Sequence, residues 1–494
     1  MQTASRRSLS VLFLLLVYVY VRLHNLISFP FFIDESVYMH RAQLVRDGNI
    51  LRPAHHSRVL HAWYTAFLGP DVPQVGWLSR VAIVTLGLLG AAALYGLVRS
   101  FVSHRAGLVA LLLWIATPYA LFYERMGLAD SALSALAVVV VWIAWQMMRT
   151  PRYWLAVALG LGLVGLMLAK ASGTSWLPLP LVALVLAADI TWRRRIVLGA
   201  LAYGTFGALW GSFMIVLRSR GVNYFGVAER FVGGVDDSLT DRIWHNIASV
   251  LEFDTAYLGI PVIILAVLGA LYWLRQNPRA ALFGIAALGM SGGATILFGR
   301  NVNSRYAFSH AVWVVMFCSI GIGLLIEKYP RWQSVVYLAL VLWIGVFFAP
   351  FAHDMWSAPE DLSLAGNDVN EYITRESSGF GVREMGEMLS ETPESLPVLG
   401  IVSNCYALRI AAHPLDVDCP EIAWNTMNQN LMRQAEQWAE NEPIYVVGES
   451  LLYIDLDRLP HPNEIVTTIE RPDEGVAVHL IRIEQGARLP EATH

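Results

Sequence analysis

Long apolar runs dominate the sequence and limit what it can fold into. A helix needs roughly 20 apolar residues to cross a hydrocarbon core of about 30 Å. Eleven runs come close to that length: 8–28, 76–98, 106–122, 129–148, 153–170, 174–190, 196–217, 256–274, 280–298, 308–326 and 332–351. Inside a bilayer only a helix or a closed barrel satisfies its own backbone groups, so each run reads as a transmembrane helix. The charged share, 15% of 494 residues, is well under the roughly 25% of a soluble chain. That deficit excludes a disordered chain, a nucleic-acid binder and a cytosolic enzyme. Seventeen Trp and nineteen Tyr suit the aromatic belts of a membrane interface. Arg22-Leu-His-Asn, and not a small-residue cleavage site, follows the first run, which therefore reads as a span and not as a signal peptide.

An odd number of spans puts the termini on opposite sides, and the cations decide which is inside. One set of short connections carries Arg6/Arg7, Arg99/Arg105, Arg149/Arg152, Arg193/Arg194/Arg195, Arg275/Arg279 and Lys328/Arg331. The long connections, 29–75 and 218–255, fall on the other side with sparser cations. The N-terminus is thus expected in the cytoplasm. Asp34, Glu35, Glu124, Asp130, Glu252 and Asp254 map to the outer ends of the spans, whereas Asp189 and Glu327 map inside. Any chemistry is expected to face outward.

Residues 352–494 are acidic, contain prolines and hold no spanning run. Pro397-Val-Leu-Gly-Ile-Val-Ser and Pro443-Ile-Tyr-Val-Val-Gly read as short buried strands between breakers. Helices are expected over Val382–Leu389 and Gln429–Glu440. The fold class is therefore an all-α polytopic membrane protein of about eleven transmembrane helices over 1–351, followed by a small extracytoplasmic α/β domain over 352–494. Three cysteines are too few for a disulfide framework. Cys318 lies in an apolar run; Cys405 and Cys419 share the C-terminal region, where an outer location would permit one disulfide.

Polar residues gather at four span ends. Phe31-Phe32-Ile33-Asp34-Glu35-Ser36-Val37-Tyr38 opens the first outer loop. The two acids read either as helix-capping charge or as a base or cation ligand at the water–lipid boundary. Tyr123-Glu124-Arg125-Met126-Gly127-Leu128-Ala129-Asp130 joins the third and fourth runs. Its charges read as a local Glu124–Arg125 or Arg125–Asp130 pair, or as groups facing an outward cavity. Lys170, one of only two lysines, ends the fifth run and either snorkels to the interface or holds a phosphate at headgroup depth. Arg300 and Arg305-Tyr306 lie between the ninth and tenth runs. In the first loop His55, His56 and His61 stand among Arg52 and Arg58, without the ligand spacing of a zinc site.

Taken in order, these residues resemble a GT-C-type membrane glycosyltransferase, similar to protein O-mannosyltransferases and lipid A aminoarabinose transferases. The resemblance spans roughly residues 1–350. It rests on Asp34-Glu35 with Tyr38 just beyond, on Arg125 and Asp130 in one hairpin, on Lys170-Ala-Ser-Gly173, and on Arg305-Tyr306. Two departures stand out. Ser57-Arg58-Val59-Leu60 occupies the place of a Lys-Pro-Pro-like segment, and His310 stands where a proline often follows the Arg-Tyr pair. No Trp-Trp-Asp triplet occurs, which speaks against the oligosaccharyltransferase branch.

The resemblance implies transfer of one sugar from a polyprenyl phosphate to an acceptor hydroxyl of a protein, lipid or glycan, with inversion, at the outer face of the cell membrane. A sugar phosphate leaves as an anion, so charge stabilisation and one base suffice. A glycosidase would need two opposed carboxylates. The implied catalytic set is Asp34 as base with Glu35 and Asp130. Lys170, Arg58, Arg125 and Arg305 are implied for the donor phosphate, and Glu124, Tyr38, His55, His56, Arg300 and Tyr306 are further candidates. No tightly bound cofactor is expected. Whether a divalent cation sits on Asp34, Glu35 and Asp130 is left open by the residues. The competing reading is a transporter or flippase of a lipid-linked or small-molecule substrate.

Overall fold

The computed structural model describes all residues except 1, 70, 189, 227–237, 301, 393–395, 421–434, 436, 450–461, 473–474 and 486–494. Its first eight helices are α1 (Gln2–Leu23), α2 (Ile33–Arg46), α3 (Val59–Phe67), α4 (Val75–Phe101), α5 (His104–Ile115), α6 (Pro118–Glu124), α7 (Ala129–Arg149) and α8 (Tyr153–Ala169). They are followed by α9 (Leu179–Leu186), α10 (Trp192–Ser219), α11 (Leu239–Tyr257), α12 (Ile260–Gln276), α13 (Pro278–Phe298), α14 (Ser304–Lys328), α15 (Gln333–Trp343) and α16 (Ala349–Ser357).

Every expected apolar run falls on helix, yet the eleven runs do not become eleven uniform spans. Among the described residues six helices are long and apolar enough to cross a membrane, or eight if two bent pairs each count as one span. A chain so built is a multi-pass membrane protein. The bends have local causes. Pro118 opens α6 and turns it 62° from α5, because proline cannot continue the preceding ladder. Gly259, at φ 81°, separates α11 from α12 at 113°. The run at 174–190 is interrupted by a 3-10 turn, Ala171–Trp176, ahead of Pro178 and Pro180. Burial separates inner from outer helices. α14 buries 78% of its apolar window against other helices, whereas α10 buries 17% and leaves the rest for lipid.

The chain divides into two compact units: Met1–Leu26, Leu44–Leu68 and Ser79–Gly366 in one, and Ile27–Gln43, Gly69–Leu78 and Asn367–His494 in the other. The second leaves 352–366 to the first unit and takes in the segment bearing Asp34 and Glu35. It is built on a five-stranded sheet of β1 (Val398–Ile401), β2 (Val417–Asp418), β3 (Ile444–Glu449), β4 (Asn463–Ile469) and β5 (Val478–Ile483), in the order β2-β1-β3-β5-β4. β1 runs parallel to β2 and β3, and β5 is antiparallel to β3 and β4. β1 and β3 are buried throughout, as their apolar runs require.

Alternation sends Val398, Tyr445, Val447 and Leu480 to one face of the sheet. There they pack with α17 (Val382–Ser390) and α18 (Cys405–Ala411). Leu399, Ile444, Val446 and Ile481 face the other way. The helix expected over Gln429–Glu440 lies largely outside the described residues. Cys405 and Cys419 form a disulfide, and Cys318 is a buried thiol. Beside the sheet Glu449 meets Arg471 at 2.6 Å, with both side chains buried. Burial pushes the Glu449 carboxyl above the usual range, against the pull of Arg471 and the Ser403 N–H.

Candidate functional site

In the membrane unit the polar centre forms where α8 ends. Lys170 takes extended backbone angles, φ −163° and ψ 149°, so the helix stops at Ala169. The following turn folds back closely. An added Cβ on Gly173 would lie 2.4 Å from the Leu166 carbonyl oxygen, which gives the Lys-x-x-Gly spacing a steric reason. The Lys170 ammonium pairs with Asp130, which sits in the first turn of α7, where negative charge is favoured. Lys170 Nζ also lies 4.4 Å from the ring centre of Tyr306. Arg305 covers the same ring at 5.0 Å and donates from Nη2 to its hydroxyl at 3.3 Å.

Arg58 joins this group from the first loop. Val59 and Ala54 pack with Met167, Ala171 and Tyr224 in one apolar cluster, and the Ser57 hydroxyl donates to the Tyr224 carbonyl. Held this way, Arg58 and Arg305 both act electrostatically on the Lys170 ammonium. Lys170 and Arg305 thus share one ring, with Asp130 paired to Lys170. Positive charge brought to the end of an apolar helix suits an anion.

Arg125 is engaged at a helix end. It is fully buried, and its Nη1 donates to the carbonyls of Val21, Arg22 and His24 while Nη2 donates to that of Asn25. These carbonyls, at and just past the end of α1, include some that have no partner within the helix. In place of the local pairs, Glu124 meets Arg22 and Asp130 meets Lys170. Glu124 bonds Arg22 at 2.9 Å and accepts from Trp114 Nε1 at 3.0 Å. Arg22 in turn donates to the carbonyls of Ile115 and Trp114 at the end of α5. Both side chains are thus engaged at helix ends, Arg125 directly and Glu124 through Arg22.

In the second unit Asp34 and Glu35 occupy the first turn of α2. Glu35 is fully buried, and its Oε2 accepts the Phe32 N–H at 3.0 Å. Asp34 is half-buried. Tyr38 is buried with the Arg41 guanidinium 5.6 Å from its ring centre. Back in the membrane unit, His55 and Arg300 are exposed and His56 is half-buried. Among the described residues no three His, Cys, Asp or Glu cluster as metal ligands.

Solved structures share this architecture. ArnT from Cupriavidus metallidurans in its apo state superposes with a TM-score of 0.61 at 15% identity, covering 97% of this chain and 98% of that one. The chain has the GT-C fold. The same enzyme bound to undecaprenyl phosphate gives a TM-score of 0.60 at 16% identity over 96% of this chain and 97% of that one. The Archaeoglobus fulgidus oligosaccharyltransferase in its apo form gives 0.55 at 12% identity, over 90% of this chain and 69% of that one. No known protein family and no curated protein matches the chain.

Within this GT-C fold a further polar pair lies outside the expected set. His310 Nε2 lies 2.8 and 2.9 Å from the two carboxylate oxygens of Asp254, joining α14 to α11 with both residues buried. The only signal in the sequence was the histidine four residues after Tyr306, where the resemblance leads one to expect proline.

Proposed function

We infer that the protein is an inverting glycosyltransferase that moves one sugar from a polyprenyl phosphate to an acceptor hydroxyl. The observation that carries this reading is the meeting of Lys170 and Arg305 on the Tyr306 ring, with Asp130 paired to Lys170 and Arg58 acting on the same ammonium. The fold supports it, since one GT-C neighbour is solved with undecaprenyl phosphate bound. In the reaction the acceptor oxygen attacks the anomeric carbon and the carbon–oxygen bond to phosphate breaks. The polyprenyl phosphate leaves as an anion toward the three cations, and the acceptor proton passes to a carboxylate base. Asp34 is assigned as that base because the resemblance gives that role to the first acid of the pair. Glu35, which fixes the Phe32 N–H, keeps the turn in shape. The outward, extracytoplasmic placement is supported by the cation bias of the short connections and by the Cys405–Cys419 disulfide, which suits an oxidising compartment.

The test is titration of purified protein with radiolabelled undecaprenyl-phosphoryl mannose or pentose, comparing Lys170→Ala with Lys328→Ala. A charge-assisted contact is worth about 1.5–3 kcal/mol, so Lys170→Ala is expected to raise donor half-saturation about 10- to 100-fold. Lys328, exposed beside Tyr272 and Tyr329, should be dispensable. Equal half-saturation in the two variants removes Lys170 from the phosphate site.

A further inference from the structure

The turn that carries Asp34 is clasped by the sheet domain. Asn404 occupies the N-cap of α18, where an Asn side chain ordinarily bonds the N–H groups of its own helix, yet it makes no such bond. Its Oδ1 instead accepts the Ser36 hydroxyl at 2.6 Å, and its Nδ2 donates to the Phe31 carbonyl at 2.7 Å. Asn404 and Ser36 are both fully buried. Between the two bonded positions the Phe32 N–H meets Glu35 at 3.0 Å, and the Ile33 N–H meets the Ser377 carbonyl at 3.0 Å. The backbones pass closely here as well, for an added Cβ on Gly379 would lie 2.4 Å from the Phe31 carbonyl oxygen. One turn beyond Ser36, His40 stacks on Tyr406 at 4.1 Å and 10°. Cys405, the residue after Asn404, is tied to Cys419.

We propose that Asn404 is a positioning residue for the Asp34 carboxylate: bonded at once to Phe31 and Ser36, it fixes the turn between them and the direction in which Asp34 leaves it. The inference rests on Asp34 being the base and extends that reading by giving the sheet domain a part in transfer. A misplacement of about 1 Å at a reacting group can lower a rate about 100-fold.

The experiment uses the full chain in nanodiscs, radiolabelled undecaprenyl-phosphoryl mannose or pentose as donor, and native membranes as acceptor. Asn404→Ala is expected to slow single-turnover transfer about 10- to 100-fold while donor half-saturation stays within about twofold of wild type. In an Asp34→Asn background the same change should add no further loss, because no base is left to aim. Ser36→Ala removes one of the two bonds from the other side and should give an intermediate loss, which keeps the test decisive if Asn404→Ala does not fold. Equal losses in both backgrounds, or a loss carried by donor half-saturation, overturn the positioning role alone. A wild-type rate for Asp34→Asn overturns the base assignment and the positioning role with it.

Discussion

Asp34 and Glu35 are adjacent, but their surroundings divide the work between them. Glu35 is buried and holds the Phe32 N–H, so its carboxylate is committed to the shape of the turn. Asp34 is half-buried in the same turn. Successive side chains of a helix do not share a direction, so neither acid can stand in for the other. Asp34→Asn keeps size and hydrogen bonding but removes basicity. It should lower single-turnover transfer about 100-fold or more, the usual scale for a lost general base, with donor binding kept. Glu35→Gln should be milder, because an amide oxygen still accepts the Phe32 N–H. The assignment fails if Asp34→Asn transfers at the wild-type rate while Asp130→Asn is inactive, for the base would then belong to the second hairpin.

At the scale of elements, two buried arginines each cap the end of another helix. Arg125, beyond α6, caps the carbonyls that close α1, and Arg22, in α1, caps those that close α5. Each buried carbonyl left without a partner costs about 1–3 kcal/mol. Arg125→Leu is therefore expected to lower the thermal midpoint of the detergent-solubilised protein clearly, with little change in donor half-saturation for the folded fraction. A large rise in half-saturation at an unchanged midpoint would return Arg125 to the phosphate set. The sequence placed Arg125 and Asp130 five residues apart in one hairpin, and nothing local distinguishes an arginine facing helix carbonyls from one facing a site. Arg22 and Glu124 are 102 positions apart, so their pairing has no signature in either neighbourhood.

Over the whole molecule, what local pattern controls could be read directly. The apolar runs are helices, and the two runs opened by Pro397 and Pro443 are the buried strands β1 and β3. Span count was less legible, because a composition window does not register that Pro118 and Gly259 turn the chain through 62° and 113°. The cations Arg58, Lys170 and Arg305 stood out by type and position, yet their meeting depends on packing such as that of Val59 on Met167. The clasp of Ser36 by Asn404 spans 368 positions, far beyond any periodicity. The central claim is that this fold breaks a sugar–phosphate bond instead of carrying an intact lipid-linked sugar across the membrane. The most direct measurement follows the label of radiolabelled undecaprenyl-phosphoryl mannose or pentose in sealed vesicles holding the full chain and native acceptor. The account predicts that label leaves the lipid phosphate for the acceptor and that Lys170→Ala slows this at low donor. Label that crosses the bilayer still joined to undecaprenyl phosphate, with none on acceptor, would contradict it.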